Sequence, residues 1–125
     1  MDKKTYEIGG RKYSIPKITM EQYELISDAA EKEKININIS FNQEDAAVTQ
    51  QLMDVIDALI KTKQIRPVLS YLLVEEGRKF NVDDTAANQE VFKKINDETM
   101  VEVLLSFFVG KVTVFTRCLP KVSAS

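Results

Sequence analysis

The chain has no histidine, no tryptophan and a single cysteine in 125 residues. Histidine is the commonest general base and the commonest transition-metal ligand. Its absence removes nucleophile–histidine pairs and most transition-metal sites, so no enzyme and no cofactor are expected. Cys118 has no second cysteine to pair with and no imidazole to activate it. A lone thiol of this kind suits a reducing cytoplasm. Glycine and proline are also scarce, at 4 and 3 residues, which excludes collagen-like and low-complexity chains. Long apolar runs are missing too. Val103–Leu105 and Phe107–Val109 are short and interrupted by Ser106, whereas a membrane span needs about 20 apolar residues. The polar start, Met1 to Thr5, carries no apolar signal core. The expectation is a soluble cytoplasmic protein with no membrane partner.

Excess charge of one sign is absent as well. Seventeen Lys and Arg stand against 19 Asp and Glu, a formal charge of −2. The basic pairs Lys3–Lys4, Arg11–Lys12, Arg78–Lys79 and Lys93–Lys94 are scattered, and arginine occurs only at 11, 66, 78 and 117. A nucleic-acid binder concentrates such residues on one face, so no nucleic-acid partner is expected. What is present is ordinary globular material, 44% hydrophobic and 29% charged, of a length that suits one domain.

Several patterns imitate sites and fail on geometry. Ser14 and Lys17 have the S-x-x-K spacing, which needs a helical turn to bring amine to hydroxyl. Pro16 pushes Ile15 towards extended backbone, and a strand end is the better reading. Gly9, Gly10, Arg11 and Lys12 lack the P-loop spacing, and a strand follows them where a helix is required. Asn81, Asp83 and Thr85 alternate as calcium-loop ligands do, yet Ala86 and Phe92 occupy the positions for the loop's Gly and closing Glu. The neighbouring carboxylates Glu44–Asp45 and Glu75–Glu76 point about 100° apart on a helix and make poor acid–base pairs. No catalytic, cofactor-binding or metal-binding residue is assigned.

The periodicities predict an α+β, mainly α fold: an N-terminal β-hairpin followed by about five short helices. Residues 1–118 read as a single domain, with the hairpin at 4–15, the helical body at 19–110 and a frayed tail at 119–125. In the hairpin, Thr5–Ile8 and Arg11–Ile15 alternate around Gly9–Gly10, a pair that tolerates the positive φ of a tight turn. Pro16 ends it. Thr19 and Gln22 form a capping box for a helix from Met20 to Lys32, with Met20, Tyr23, Ile26 and Ala30 on its apolar stripe. Ile35 to Phe41 alternates strictly and reads as an extra strand or a linker. A second helix runs from about Gln43, capped by Asn42, to Lys61. A third starts near Arg66, with Pro67 in its first turn, and runs to Gly77 as its C′ residue. After a polar connector come a short helix at about 89–94 and a fifth at 98–109, capped by Asp97 and ended by Gly110. Lys111 to Thr116 alternates again and reads as a C-terminal strand or extended tail.

The fifth helix is apolar on more than one face. A helix of this kind is either central or meets a partner. One reading is plain core packing. The other is a partner-binding surface of Leu104, Phe107 and Phe108, continued by Val112, Val114 and Phe115.

The opening, Lys4 to Pro16, followed by Ile18 to Leu25, resembles the start of tail assembly chaperones of long-tailed bacteriophages. Such chains begin with a short Gly-turn hairpin that ends in Pro, then a helix start rich in Thr, Glu and Leu. A small mainly helical body follows, closing on a segment similar to Glu102–Phe108. The resemblance implies a non-catalytic protein that binds the long helical tape measure protein, keeps it soluble and acts in the host cell cytoplasm. It implies tail proteins as partners and is compatible with a homo-oligomer. The alternative is a minor tail or head–tail component retained in the virion.

Overall fold

The computed structural model describes residues 4–37 and 45–118. The elements follow the order β1 (Tyr6–Ile8), β2 (Arg11–Ser14), α1 (Met20–Lys32), α2 (Asp45–Lys61), α3 (Ile65–Leu72), β3 (Val74–Glu75), α4 (Thr85–Val91) and α5 (Asp97–Cys118). Single 3₁₀ turns at Val82–Asp84 and Phe92–Lys94 flank α4. The fold is α+β and mainly helical, with one small antiparallel sheet in the order β1-β2-β3.

The hairpin forms as its residues dictate. Gly9 and Gly10 have φ of +59° and +81°, the signs that a type I′ turn requires. Tyr6 pairs with Tyr13, and Ile8 with Arg11. Tyr6 and Ile8 point into the core while Glu7 faces outwards. Gly9 is also pinned by space. A Cβ there would lie 2.9 Å from Val91 Cγ1, so the turn nests against α4.

Helix α1 begins where the capping box sets it. Thr19 Oγ1 accepts from the Gln22 amide, and the Gln22 side chain accepts from the Thr19 amide at 3.1 Å. The buried stripe is rotated from the expected one. Gln22, Ile26, Ala29 and Ala30 are buried, whereas Met20 is 71% exposed. Gln22 turns inwards because its Nε2 donates to the Tyr71 carbonyl at 2.8 Å, tying α1 to α3. Helices α1 and α2 both end in Schellman motifs. Ile35 and Lys34 amides donate back to Ala30 and Glu31, and Gln64 and Lys63 amides to Leu59 and Ile60. The C′ positions, Lys34 and Lys63, adopt φ of +58° and +63°.

Helix α3 sits at the centre and touches α1, α2, α4 and α5. Its Val68, Leu69 and Leu72 are buried, as are Leu73 and Val74 just beyond it. Val68, Leu69, Leu72 and Leu73 pack with Ile56 and Leu59 of α2, with Phe92, and with Val103, Leu104, Phe107 and Phe108 of α5 around one core. Aromatic edges fix parts of it. Tyr13 and Phe92 meet at 5.0 Å and 72°, and Phe107 and Phe108 at 5.3 Å and 60°.

Several expectations are corrected. The third helix stops at Leu72, because Leu73 is already extended with ψ of 134°. Val74–Glu75 then forms the third strand against β2, and Gly77, φ +83°, turns the chain after it. The third-strand place expected for 35–41 is thus filled from elsewhere. Residues 35–37 have no regular structure, and Ile35 and Ile37 pack against the core by their side chains. The rest of that stretch, the Asn42 cap and the 119–125 tail lie outside the described residues. The fourth helix starts earlier, at Thr85, because the turn at 82–84 nucleates it, with Asn81 Oδ1 accepting from the Asp83 amide at 2.9 Å. Asn96, not Asp97, caps α5: its Oδ1 accepts from the Thr99 amide at 2.7 Å.

Finally, α5 does not end at Gly110. It continues to Cys118, so 111–116 is helical and not a strand or extended tail. Elongating an existing helix adds one bond per residue fixed, while a single interior Gly costs only about 1 kcal/mol. The described sheet, in the order β1-β2-β3, does not include 111–116.

Candidate functional site

The residues singled out for partner binding divide into two groups. Leu104, Phe107 and Phe108 are 1%, 5% and 3% exposed. They sit in the core, where Phe107 meets Tyr23 of α1 at 6.1 Å. Val112, Val114 and Phe115 follow on the last turns of the same helix. One helix therefore carries both groups, and the first of them is buried.

The apolar side chains that do reach the surface lie elsewhere. Met53 and Ile60 of α2 are 47% and 45% exposed, with Leu105 of α5 also outward. Met53 and Ile60 are seven residues apart, two helical turns, so they share a side of α2. Their neighbours are soluble pairs along the same helix: Gln50 donates to Asp54 at 2.8 Å, and Lys61 meets Asp57 at 2.9 Å. The Lys61 ammonium is held above its usual range by that hydrogen bond and by the Asp57 charge. By spacing alone, Val48, Leu52, Val55, Ile56, Leu59 and Ile60 read as one apolar face of α2, which includes Ile60 and leaves Met53 out. The heptad spacing of Met53 and Ile60 is the signal that could have found them.

The best-formed concavity is a cleft of about 230 Å³ between β3 and α4. Arg11, Glu75, Arg78, Asp84 and Asn88 supply its polar wall, and Leu73, Val74 and Phe80 its apolar one. Two charge pairs close within it. Arg78 Nη2 donates to both Asp84 oxygens at 3.0 and 3.2 Å, and Arg11 faces Glu75 at 3.6 Å. The Tyr13 hydroxyl donates to Asn88 Oδ1 at 3.3 Å. Burial, then the Glu75 charge, push the Tyr13 phenol above its usual range. The Asn81 and Asp83 pair, which imitates a calcium ligand set, is used in the 3₁₀ turn. No group of three or more acidic or cysteine side chains is placed to hold a metal among the described residues. Every buried side-chain nitrogen and oxygen among them has a partner. No helix among them is long and apolar enough to cross a membrane.

Comparison with protein-family models, with curated proteins and with solved structures finds no match to this chain.

Proposed function

We propose that this chain is a tail assembly chaperone of a long-tailed bacteriophage, a non-enzymatic module that binds the tape measure protein in the host cytoplasm. The observation that carries the reading is the segment 4–32. Its sequence resembles the opening of such chaperones, and its Gly-turn hairpin, Pro16 and capped helix come ahead of a mainly helical body. In the cleft, Arg78 is engaged by Asp84 and Arg11 by Glu75. The surface that suits a client of amphipathic helices is the α2 side that carries Met53 and Ile60.

The test is co-expression with the tape measure protein from the same genome. The expected result is a soluble client that co-purifies with this chain, and purified virions that lack it. A client that stays insoluble and unbound, or a chain found as a stoichiometric virion component, overturns the reading.

A further inference from the structure

The last turns of α5 have a sequence at odds with their conformation. Lys111 to Thr116 alternates with period two, and four of its six residues, Val112, Thr113, Val114 and Thr116, are β-branched. Such residue types lose rotamer freedom in a helix and fit a pleated strand. Gly110, the most permissive kind of backbone, stands immediately before them. The core residues Phe107 and Phe108 come just before Gly110. Local preference and observed conformation therefore disagree within one short segment.

The sheet offers that segment an alternative. β1 is an edge strand. In a hairpin closed by Ile8 and Arg11, Glu7 and Lys12 form the pair that exchanges no hydrogen bonds. The Glu7 N–H and C=O consequently point away from β2, to the edge that no described strand covers. Helix α5 runs alongside. Lys4 pairs with Glu102, and the Tyr6 hydroxyl meets Ser106 Oγ at 3.2 Å. Two residues of strand and four of helix each advance about 6 Å, so β1 and α5 run in the same sense. By the same rises, Gly110 comes level with Ile8. A reversal at Gly110 sends 111–116 back antiparallel to β1, and six extended residues cover about 20 Å, enough for its whole length.

We propose that residues 111–116 are a helix–strand switch hinged at Gly110: the distal turns of α5 in one state, a fourth antiparallel strand on the open edge of β1 in the other. In the strand state the chain caps its own sheet edge, and in the helix state that edge stands open to another extended segment. The inference does not depend on the chaperone reading.

Saturation-transfer NMR on the full chain, which detects sparsely populated states, tests it. The expected result is a minor state populated at about 1–10%. Its 111–116 Cα shifts are strand-like, and the Glu7 amide exchanges at the same rate. Two variants then remove it. Glu7→Pro deletes the outward donor at a position where an edge strand tolerates proline. The triple substitution Val112→Ala, Val114→Ala, Thr116→Ala removes strand preference while favouring the helix. Each should lower the minor population by about tenfold, and the triple variant serves if Glu7→Pro fails to fold. Absence of the minor state, its persistence in the variants, or a population that rises with protein concentration overturns the proposal, the last because pairing would then be between copies.

Discussion

Replacing Gln22 by glutamate changes one NH₂ for one oxygen at a site that is 0% exposed. The shape is kept, and the new side chain still accepts from the Thr19 amide, as Gln22 does at 3.1 Å. What is lost is the donor that meets the Tyr71 carbonyl at 2.8 Å. At neutral pH a carboxylate then faces a carbonyl oxygen, both out of water. A buried acceptor left unsatisfied costs about 1–3 kcal/mol, and an uncompensated buried charge about 3–5. A total near about 3 kcal/mol is a large share of a stability of about 5–15. Protonation cures the defect, because the acid O–H can donate to Tyr71 as the amide did. The folded state therefore binds the proton more tightly than the unfolded chain, whose glutamate titrates near about 4.3.

The sign of the pH effect follows. Between the unfolded value and the raised folded one, the native state holds more protons, so stability falls as pH rises. A cost of about 3 kcal/mol corresponds to a shift of about two pH units. The Gln22→Glu variant should nearly match the parent at about pH 4 and trail it by about 3 kcal/mol at about pH 7. Urea midpoints at constant m, taken for both proteins from about pH 4 to about pH 7.5, measure this. Gln22→Met serves as the pH-independent control, because it removes the donor and the acceptor together. A deficit of the Gln22→Glu variant that is absent at neutral pH, or equal at every pH, refutes the placement of Gln22 between Thr19 and Tyr71.

Alanine at Gly9 and at Gly10 compares two left-handed turn positions. Only Gly9 has a neighbour at 2.9 Å from the added Cβ, so Gly10→Ala should cost about 1–2 kcal/mol and Gly9→Ala clearly more, read as melting temperatures. Lys34→Gly and Lys63→Gly should each stabilise by about 0.5–1 kcal/mol, because both Schellman C′ positions carry a side chain at positive φ; a loss in both would contradict the assigned motifs. The Tyr13 phenol is raised by burial, so the folded state keeps its proton after the unfolded one has ionised near about 10, and stability falls as pH rises beyond that. Tyr13→Phe should flatten the alkaline loss while costing about 1 kcal/mol for the bond to Asn88, measured as urea midpoints between about pH 8 and about pH 11.

Short-range chemistry made the first third of the chain legible. Gly9–Gly10, Pro16 and the Thr19–Gln22 box each act within a few residues, and the hairpin and α1 stand where they point. The failures arise where a distant partner decides. Val74 and Glu75 read as the tail of a helix until β2 is present to pair with them. Met20 fits the apolar stripe of α1 by spacing, but the bond from Gln22 to Tyr71 turns another side inwards. Lys111 to Thr116 reads as a strand or extended tail, and the helix ahead of it carries it on. Within the candidate surface, Leu104, Phe107 and Phe108 are buried, because periodicity finds apolar residues without telling which of them the chain uses for itself.

That distinction bears on the cost of binding a partner through α5. Freeing Leu104, Phe107 and Phe108 for a client would expose three buried side chains at about 1.5–3 kcal/mol each, a sum comparable with the whole stability of a small domain. Contact through them would amount to unfolding. Met53 and Ile60 already meet solvent, so engaging them carries no such cost. Phe107→Asp should therefore abolish the fold and any client binding together, whereas Met53→Asp with Ile60→Asp should leave the melting temperature within about 2–4 °C of the parent. If the α2 surface is the contact, the double variant loses the co-purifying tape measure protein at unchanged circular dichroism. Retained binding in that folded double variant would move the contact off α2.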